Sequence, residues 1–162
     1  MSNNAPNITS AEVTSVNEDT DYSYTFTVSD TDSGDAVNLA APTKPSWLSF
    51  DARSGVLSGT PRNSNVGDHS IVLSATDVAG AVTTQNFIIT VNNVNDAPTV
   101  NNAISDQATA ENSAFSYQFD SDVFADVDIG DSLTNTATLS DGSILPSWLK
   151  FDADTRTFSG TP

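Results

Sequence analysis

The sequence predicts an all-β fold, a tandem of antiparallel β-sandwich copies with the second copy truncated. Three observations predict it. A signature recurs at one spacing: Pro45-Ser46-Trp47-Leu48-Ser49-Phe50-Asp51 returns as Pro146-Ser147-Trp148-Leu149-Lys150-Phe151-Asp152, and Ser58-Gly59-Thr60-Pro61 returns as Ser159-Gly160-Thr161-Pro162, each 101 positions on (146 − 45 and 159 − 58). A repeat of that size means two copies of one domain. Short runs alternate apolar and polar residues with period two, and no stretch carries helical periodicity or cap chemistry.

The first copy is placed at residues 1–96 and the second at 97–162, because Ala97-Pro98 repeats Ala5-Pro6. Seven strands are expected in the first copy. The opening one, 8–16, precedes the alternating run Tyr22-Ser23-Tyr24-Thr25-Phe26-Thr27-Val28, which sets strand 22–29. Strand 36–40 follows an Asp cluster, 47–50 follows Pro45-Ser46, and 56–58 lies between Gly55 and Gly59. His69-Ser70-Ile71-Val72-Leu73-Ser74-Ala75 sets strand 69–76, and Asn86-Phe87-Ile88-Ile89-Thr90-Val91 sets 85–92. These runs are rich in β-branched and aromatic residues and are bounded by Asp, Gly, Asn and Pro. Seven short strands are the count of an immunoglobulin-like sandwich. The expected core is Phe26, Val28, Trp47, Leu48, Phe50, Leu57, Ile71, Leu73, Phe87, Ile89 and Val91. In the second copy Phe115-Ser116-Tyr117-Gln118-Phe119 aligns with Tyr22-Ser23-Tyr24-Thr25-Phe26, and nothing up to Pro162 matches strands 69–76 and 85–92. That leaves a sheet edge and part of a core uncovered.

Charge narrows the function classes. Five Lys and Arg face twenty-one Asp and Glu, a formal net charge of -16. Such a field repels nucleic acid and anionic membrane and favours multivalent cations. Only Glu12, Glu18 and Glu111 are Glu; the other acids are Asp, a compact oxygen ligand that also suits turns. The absence of cysteine excludes disulfides and thiolate metal sites. No run approaches the ~20 apolar residues of a membrane span, so no membrane insertion is expected. Met1-Ser2-Asn3-Asn4 reads as a start placed inside a longer chain.

Four constellations carry candidate chemistry. Asp30-Thr31-Asp32-Ser33-Gly34-Asp35 is matched by Asp126-Val127-Asp128-Ile129-Gly130-Asp131. In an extended segment Asp30 and Asp32 point to one side and reach one ion that takes six to eight oxygens. The other reading is an Asp-Gly turn without an ion. The flanking helices and the Glu at loop position 12 of an EF-hand are missing. Ala75-Thr76-Asp77-Val78-Ala79-Gly80 places an Asp at a strand end before a turn, and Asn93-Val94-Asn95-Asp96-Ala97-Pro98 joins the copies. Glu18 is matched by Glu111-Asn112.

Together these motifs resemble the cadherin calcium pattern: a Glu near the end of the first strand, a DxD, an AxDxG-like turn and a DxNDNAP linker. The PSWLxFD…SGTP signature is similar to the dystroglycan-type cadherin-like domain, which overlaps with the family called the putative immunoglobulin domain. The resemblance covers the first copy and the amino-terminal part of the second, and implies a cadherin/immunoglobulin-like sandwich. It also implies a ligand assignment: calcium at the joint held by Glu18, Asn93, Asn95, Asp96, Asp126 and Asp128, and an upper site of the first copy formed by Asp30, Asp32 and Asp77. Asn93 stands where cadherin linkers have Asp, the LDRE motif has no clear match, and the residues from Arg62 to Asp68 occupy its place.

Catalysis finds little support. His69 is the only histidine and lies in a strand; neither phosphate-binding glycine spacing occurs. Trp47 and Trp148 could stack on sugar rings, but a Trp anchoring the core after a Pro-Ser turn fits better. Exposed Tyr22 or Tyr24 is a further sugar-contact candidate. The expected function is a calcium-binding structural and adhesion module of a large bacterial extracellular or cell-surface protein, not an enzyme, with calcium stiffening the array at its joints. The alternative is a carbohydrate-binding module of an adhesin or polysaccharide-degrading enzyme. Expected partners are calcium, glycans or another cell-surface protein, and a strand-exchanged homodimer; nucleic acid is not among them.

Overall fold

The computed structural model describes residues 3–32, 34 and 36–162. The chain divides into two compact units, residues 1–94 and 95–162. Among the described residues all regular structure is β, apart from one 3-10 turn at Asn63–Asn65. Among the described residues no helix is long and apolar enough to cross a membrane.

The described residues of unit 1 hold nine strands: β1 (Asn7–Ile8), β2 (Ser15–Asn17), β3 (Tyr22–Thr25), β4 (Val28–Ser29), β5 (Asn38–Thr43), β6 (Leu48–Asp51), β7 (Val56–Gly59), β8 (Gly67–Thr76) and β9 (Val82–Asn92). One sheet runs β2-β9-β8-β5, a second β3-β7-β6, and β1 pairs with β4. Every pairing is antiparallel except β2 with β9, which is parallel.

Two expected strands are divided in the structure. Residues 8–16 form no single strand, because the segment changes partner. Its start pairs with β4, Thr9 N–H donates to Thr27 O, and Thr14 O then accepts from Thr90 of β9. Residues 22–29 split because Thr27 N–H donates to the Ser10 hydroxyl instead of continuing a ladder. Pro42 in edge strand β5 has no N–H, and the register to β8 shifts there.

The core lies between the sheets of unit 1. Phe26, Leu48, Leu57, Ile71, Leu73, Phe87, Ile89 and Val91 are buried; Val28, Trp47 and Phe50 pack partly buried against them. Tyr22 and Tyr24 are a correction to the sequence reading. They are only 3% and 4% exposed and cannot serve as exposed sugar contacts. Both rings face inward, and each hydroxyl finds a partner at the edge of the core: Tyr22 donates to Val13 O at 2.8 Å and Tyr24 to Gln85 Oε1 at 2.7 Å. Burial pushes the Tyr22 phenol well above its usual range. The inward residues of β8 and β9 are Ile71, Leu73, Ala75, Phe87, Ile89 and Val91. Burying a large apolar side chain contributes about 1.5–3 kcal/mol. Five such side chains on one hairpin rival a domain's whole net stability of about 5–15 kcal/mol.

Unit 2 repeats one part of this architecture. Its strands are β10 (Thr99–Val100), β11 (Phe115–Gln118), β12 (Phe124–Ala125), β13 (Leu149–Asp152) and β14 (Thr157–Gly160). β10 pairs with β12 as β1 does with β4, and β11-β14-β13 reproduces β3-β7-β6. The register is conserved between copies: Tyr22↔Gly59↔Leu48 in unit 1 becomes Phe115↔Gly160↔Leu149 in unit 2. Phe119, Phe151 and Phe158 make a small cluster in which Phe151 and Phe158 lie 4.6 Å apart. Trp148 differs from its counterpart. Trp47 is flanked edge-on by Tyr22 at 6.1 Å and by His69 of β8 at 5.7 Å, whereas Trp148 is 36% exposed. Among the described residues, unit 2 has no counterpart of β8 to cover it.

Candidate metal centre

The Asp-x-Asp segments sit where a short strand ends. Asp126 follows β12 directly, as Asp30 follows β4. In each copy the first Asp folds back on the backbone: Asp30 Oδ1 accepts from Asp32 N–H and Asp126 Oδ1 from Asp128 N–H, both at 2.9 Å. These Asx turns fix the first carboxylate beside the second. The second carboxylate is then tied to the segment before the Ala-Pro pair. Asn4 N–H donates to Asp32 Oδ2 at 2.6 Å, and Asp96 N–H to Asp128 Oδ2 at 2.7 Å.

Unit 2 brings three acids together. Oxygens of Asp126, Asp128 and Asp131 all lie within 4.8 Å of one another, and Asp128 is only 5% exposed. Two ligands across one calcium ion are at most about twice 2.3–2.6 Å apart, so this spacing fits a shared ion. The donors are all hard carboxylate oxygens, which also fits. Asp131 was absent from the ligand set inferred from sequence; its signal is the last position of DxDxGD, brought round by Gly130 at φ +98°.

In unit 1, Asn3 and Asn4 link the upper acids. Asn3 Nδ2 donates to Asp77 Oδ2 at 2.8 Å, and Asn4 Nδ2 to Asp32 Oδ1 at 3.2 Å. Asp77, 3% exposed, also accepts from Ala81 N–H at 2.8 Å across the β8–β9 turn. The Asn3 amide and then the backbone N–H groups of that turn hold its carboxyl below the usual carboxylate range, against the opposing effect of burial. Asp30 Oδ2 is buried and has no hydrogen-bond partner among the described residues. Asp35, the counterpart of Asp131, and Ser33 lie outside the described residues, as do Met1 and Ser2.

Glu18 lies elsewhere in unit 1, in the turn after β2. It is 2% exposed; its Oε1 accepts from Val94 N–H at 2.7 Å, and its own N–H donates to Asn92 O. The carboxylate thus secures the end of the unit's last segment. Asn93 is exposed beside it. In unit 2, Asn95 Nδ2 donates to Asp96 O, and Glu111 is exposed.

A family model described as "Putative Ig domain" matches residues 5–92 and again 97–162. The chain belongs to this immunoglobulin-like family. It is similar to the "Serine-rich adhesin for platelets" of Staphylococcus aureus strain MRSA252, 33% identical over 137 residues, which is 85% of this chain and 9% of that protein. The same adhesin of strain USA300 is also 33% identical over 137 residues, there 6% of its length. The chain therefore spans less than a tenth of these relatives. Among solved structures, the extracellular domain of Protocadherin GammaB4 matches 97% of this chain and 29% of its own at 21% identity and a TM-score of 0.53. That likeness concerns the β-sandwich fold.

Proposed function

We propose that this tandem immunoglobulin-like chain is a calcium-binding structural and adhesion module of a large bacterial surface protein. The observation that carries the calcium reading is the Asp126, Asp128 and Asp131 cluster, with oxygens within 4.8 Å and one carboxylate almost wholly buried. Three acids this close repel one another, and a divalent cation turns that repulsion into attraction. Asp96 assists by fixing Asp128 through its backbone N–H. The cadherin-like pattern adds Glu18, Asn93 and Asn95 as ligands, and Asp30, Asp32 and Asp77 as an upper set in unit 1. Calcium bound beside the linker would stiffen a repeat array. The 33% identity to a staphylococcal adhesin supports the surface location and the adhesive role.

Calorimetric titration with calcium tests this. Binding is expected in the range of extracellular modules, about 10⁻⁴–10⁻³ M. Asp126→Ala and Asp128→Ala should each abolish the heat from unit 2, while Asp77→Ala should leave it in place. Small-angle scattering in calcium and in chelator checks the stiffening; an unchanged maximum dimension would remove that part of the proposal.

A further inference from the structure

The outer face of the sheet β2-β9-β8-β5 in unit 1 is almost free of charge, although the chain carries a net charge of -16. Its four strands contain one acid, Asp68, and no Glu, Lys or Arg. The Asp68 carboxylate accepts from the Thr90 hydroxyl at 2.7 Å across the ladder. The outward positions are otherwise mostly Ser, Thr and Asn. Three larger apolar residues interrupt them. Ile88 is 51% exposed, Val82 is 55% exposed, and Val72 is partly buried. Ile88 pairs with Ser70 and Val72 with Asn86, so Ile88 and Val72 are diagonal neighbours on the two central strands.

Charge depleted from the centre, aliphatic side chains there and a polar rim are what a protein interface looks like. The edges of the same sheet are guarded against strand addition. β5 carries Pro42 and a register shift, and β2 is three residues long. A partner therefore has the face to bind rather than an edge. Charge selects the partner. A basic protein gains most at the Asp-rich loops and finds a single carboxylate on this face. An acidic protein is repelled by those loops and meets little repulsion here. The acidic protein present wherever this chain is crowded is the chain itself. No outward residue of the four strands is aromatic, so a sugar ring has nothing to stack on.

We propose that two copies of the chain pair through this face of unit 1, sheet against sheet about a two-fold axis. An isologous contact uses one patch on both copies, so a single self-complementary face is enough. Ile88 and Val72 of one copy cover Ile88 and Val72 of the other. At a strand spacing of ~4.8 Å and a rise of ~3.3 Å per residue, the face spans about 500 Å². Two such faces bury about 1,000 Å², the lower limit of a specific interface, so the dimer is weak and reversible. Where many copies are held close together on one surface, weak pairing of neighbours is multiplied by their high effective concentration. The contact needs no calcium and stands apart from the acids of unit 2.

Sedimentation equilibrium of the whole chain in chelator tests this. A concentration-dependent dimer is expected. It should tighten about threefold or more between about 0.1 M and about 1 M NaCl, because the Debye length falls from ~10 Å to ~3 Å and screens the repulsion between two acidic chains. Ile88→Glu and Thr84→Glu each set a charge against its own copy and should weaken the dimer about tenfold or more. Both positions are exposed, and melting curves show whether each variant is folded. Ser23→Glu adds the same charge to the outer face of the sheet β3-β7-β6 and should leave the dimer unchanged. The chain has no cysteine, so a spin label can be placed at one site. Dipolar broadening is expected for a label at Asn86→Cys and not at Ser49→Cys. A strict monomer at every salt concentration overturns the proposal, as does a dimer that both Glu variants on β9 leave intact. A dimer lost in Ser23→Glu would name the other sheet, and one formed only when calcium is added would name a bridging ion; either result overturns it too.

Discussion

Gly59 shows why the Ser-Gly-Thr-Pro signature recurs. Its backbone lies against the turn that carries the tryptophan, and a Cβ there would overlap the Trp47 carbonyl oxygen; at Gly160 a Cβ would overlap that of Trp148. The obstacle is backbone, which cannot swing aside. Gly59→Ala should therefore cost about 3 kcal/mol or more, in the upper range of overpacking, and lower the melting temperature of unit 1 by more than about 10 °C. Ser58→Ala, one residue away, should change it little. Calorimetry that shows equal melting for the glycine variant and the native chain would refute this account of the motif. A second residue of the signature titrates. Asp51 Oδ1 accepts from Arg53 N–H at 2.8 Å and Ser54 N–H at 3.3 Å, and these bonds, Arg53 first, hold its carboxyl below the usual range. A folded pKa below the unfolded one adds stability above the unfolded value, near 3.9, and loses it as the pH falls through the folded value. Asp51→Asn should thus be less stable than the native chain at neutral pH and converge with it in strong acid. Thermal melts across pH check this; a gap that persists unchanged into acid would mean the charge is irrelevant.

Among the elements, legibility followed burial contrast. β8 and β9 were legible in the sequence because Ile71, Leu73, Ala75, Phe87, Ile89 and Val91 fall on one face at period two, although Val72, Val82 and Ile88 interrupt the mostly polar outer face. The first strand was not, because residues 8–16 serve two partners in turn and hydrogen-bond patterns leave no mark on hydrophobicity. Tyr22 and Tyr24 are hard to place for a related reason: a hydroxyl looks like a surface group until its acceptor is known, and neither Val13 O nor Gln85, 61 positions from Tyr24, is marked as an acceptor by any pattern of hydrophobicity. Within the candidate site, the Asp-x-Asp pair was legible as spacing. Asp131 is not legible in the same way, because its approach depends on the turn at Gly130, a backbone conformation rather than a pattern of side chains. Arg156 illustrates how far the two copies tolerate divergence. It stands where unit 1 has Gly55, adopts φ +56°, and still delivers its carbonyl to Phe119 N–H as Gly55 does to Phe26 N–H.

At the scale of the whole molecule, charge decides what a bound cation would do. A net charge of -16 destabilises any compact state through self-repulsion, and Arg62 with Asp19 makes the sole ion pair among the described residues, both side chains largely exposed. Screening alone should therefore help. Raising NaCl from about 0.01 M to about 1 M shortens the Debye length from ~30 Å to ~3 Å, and the melting temperature should rise accordingly. Calcium bound at a site acts differently, since it binds the folded state and adds stability by mass action. At equal ionic strength CaCl₂ should raise the melting temperature beyond NaCl, and MgCl₂ should do so less, because magnesium demands octahedral geometry and sheds water reluctantly. The extra increment should vanish in Asp128→Ala while the NaCl response remains, because one substitution removes a ligand but hardly alters the total charge. If CaCl₂ and NaCl act alike at matched ionic strength, the acids of this chain are a screened surface and the calcium proposal fails.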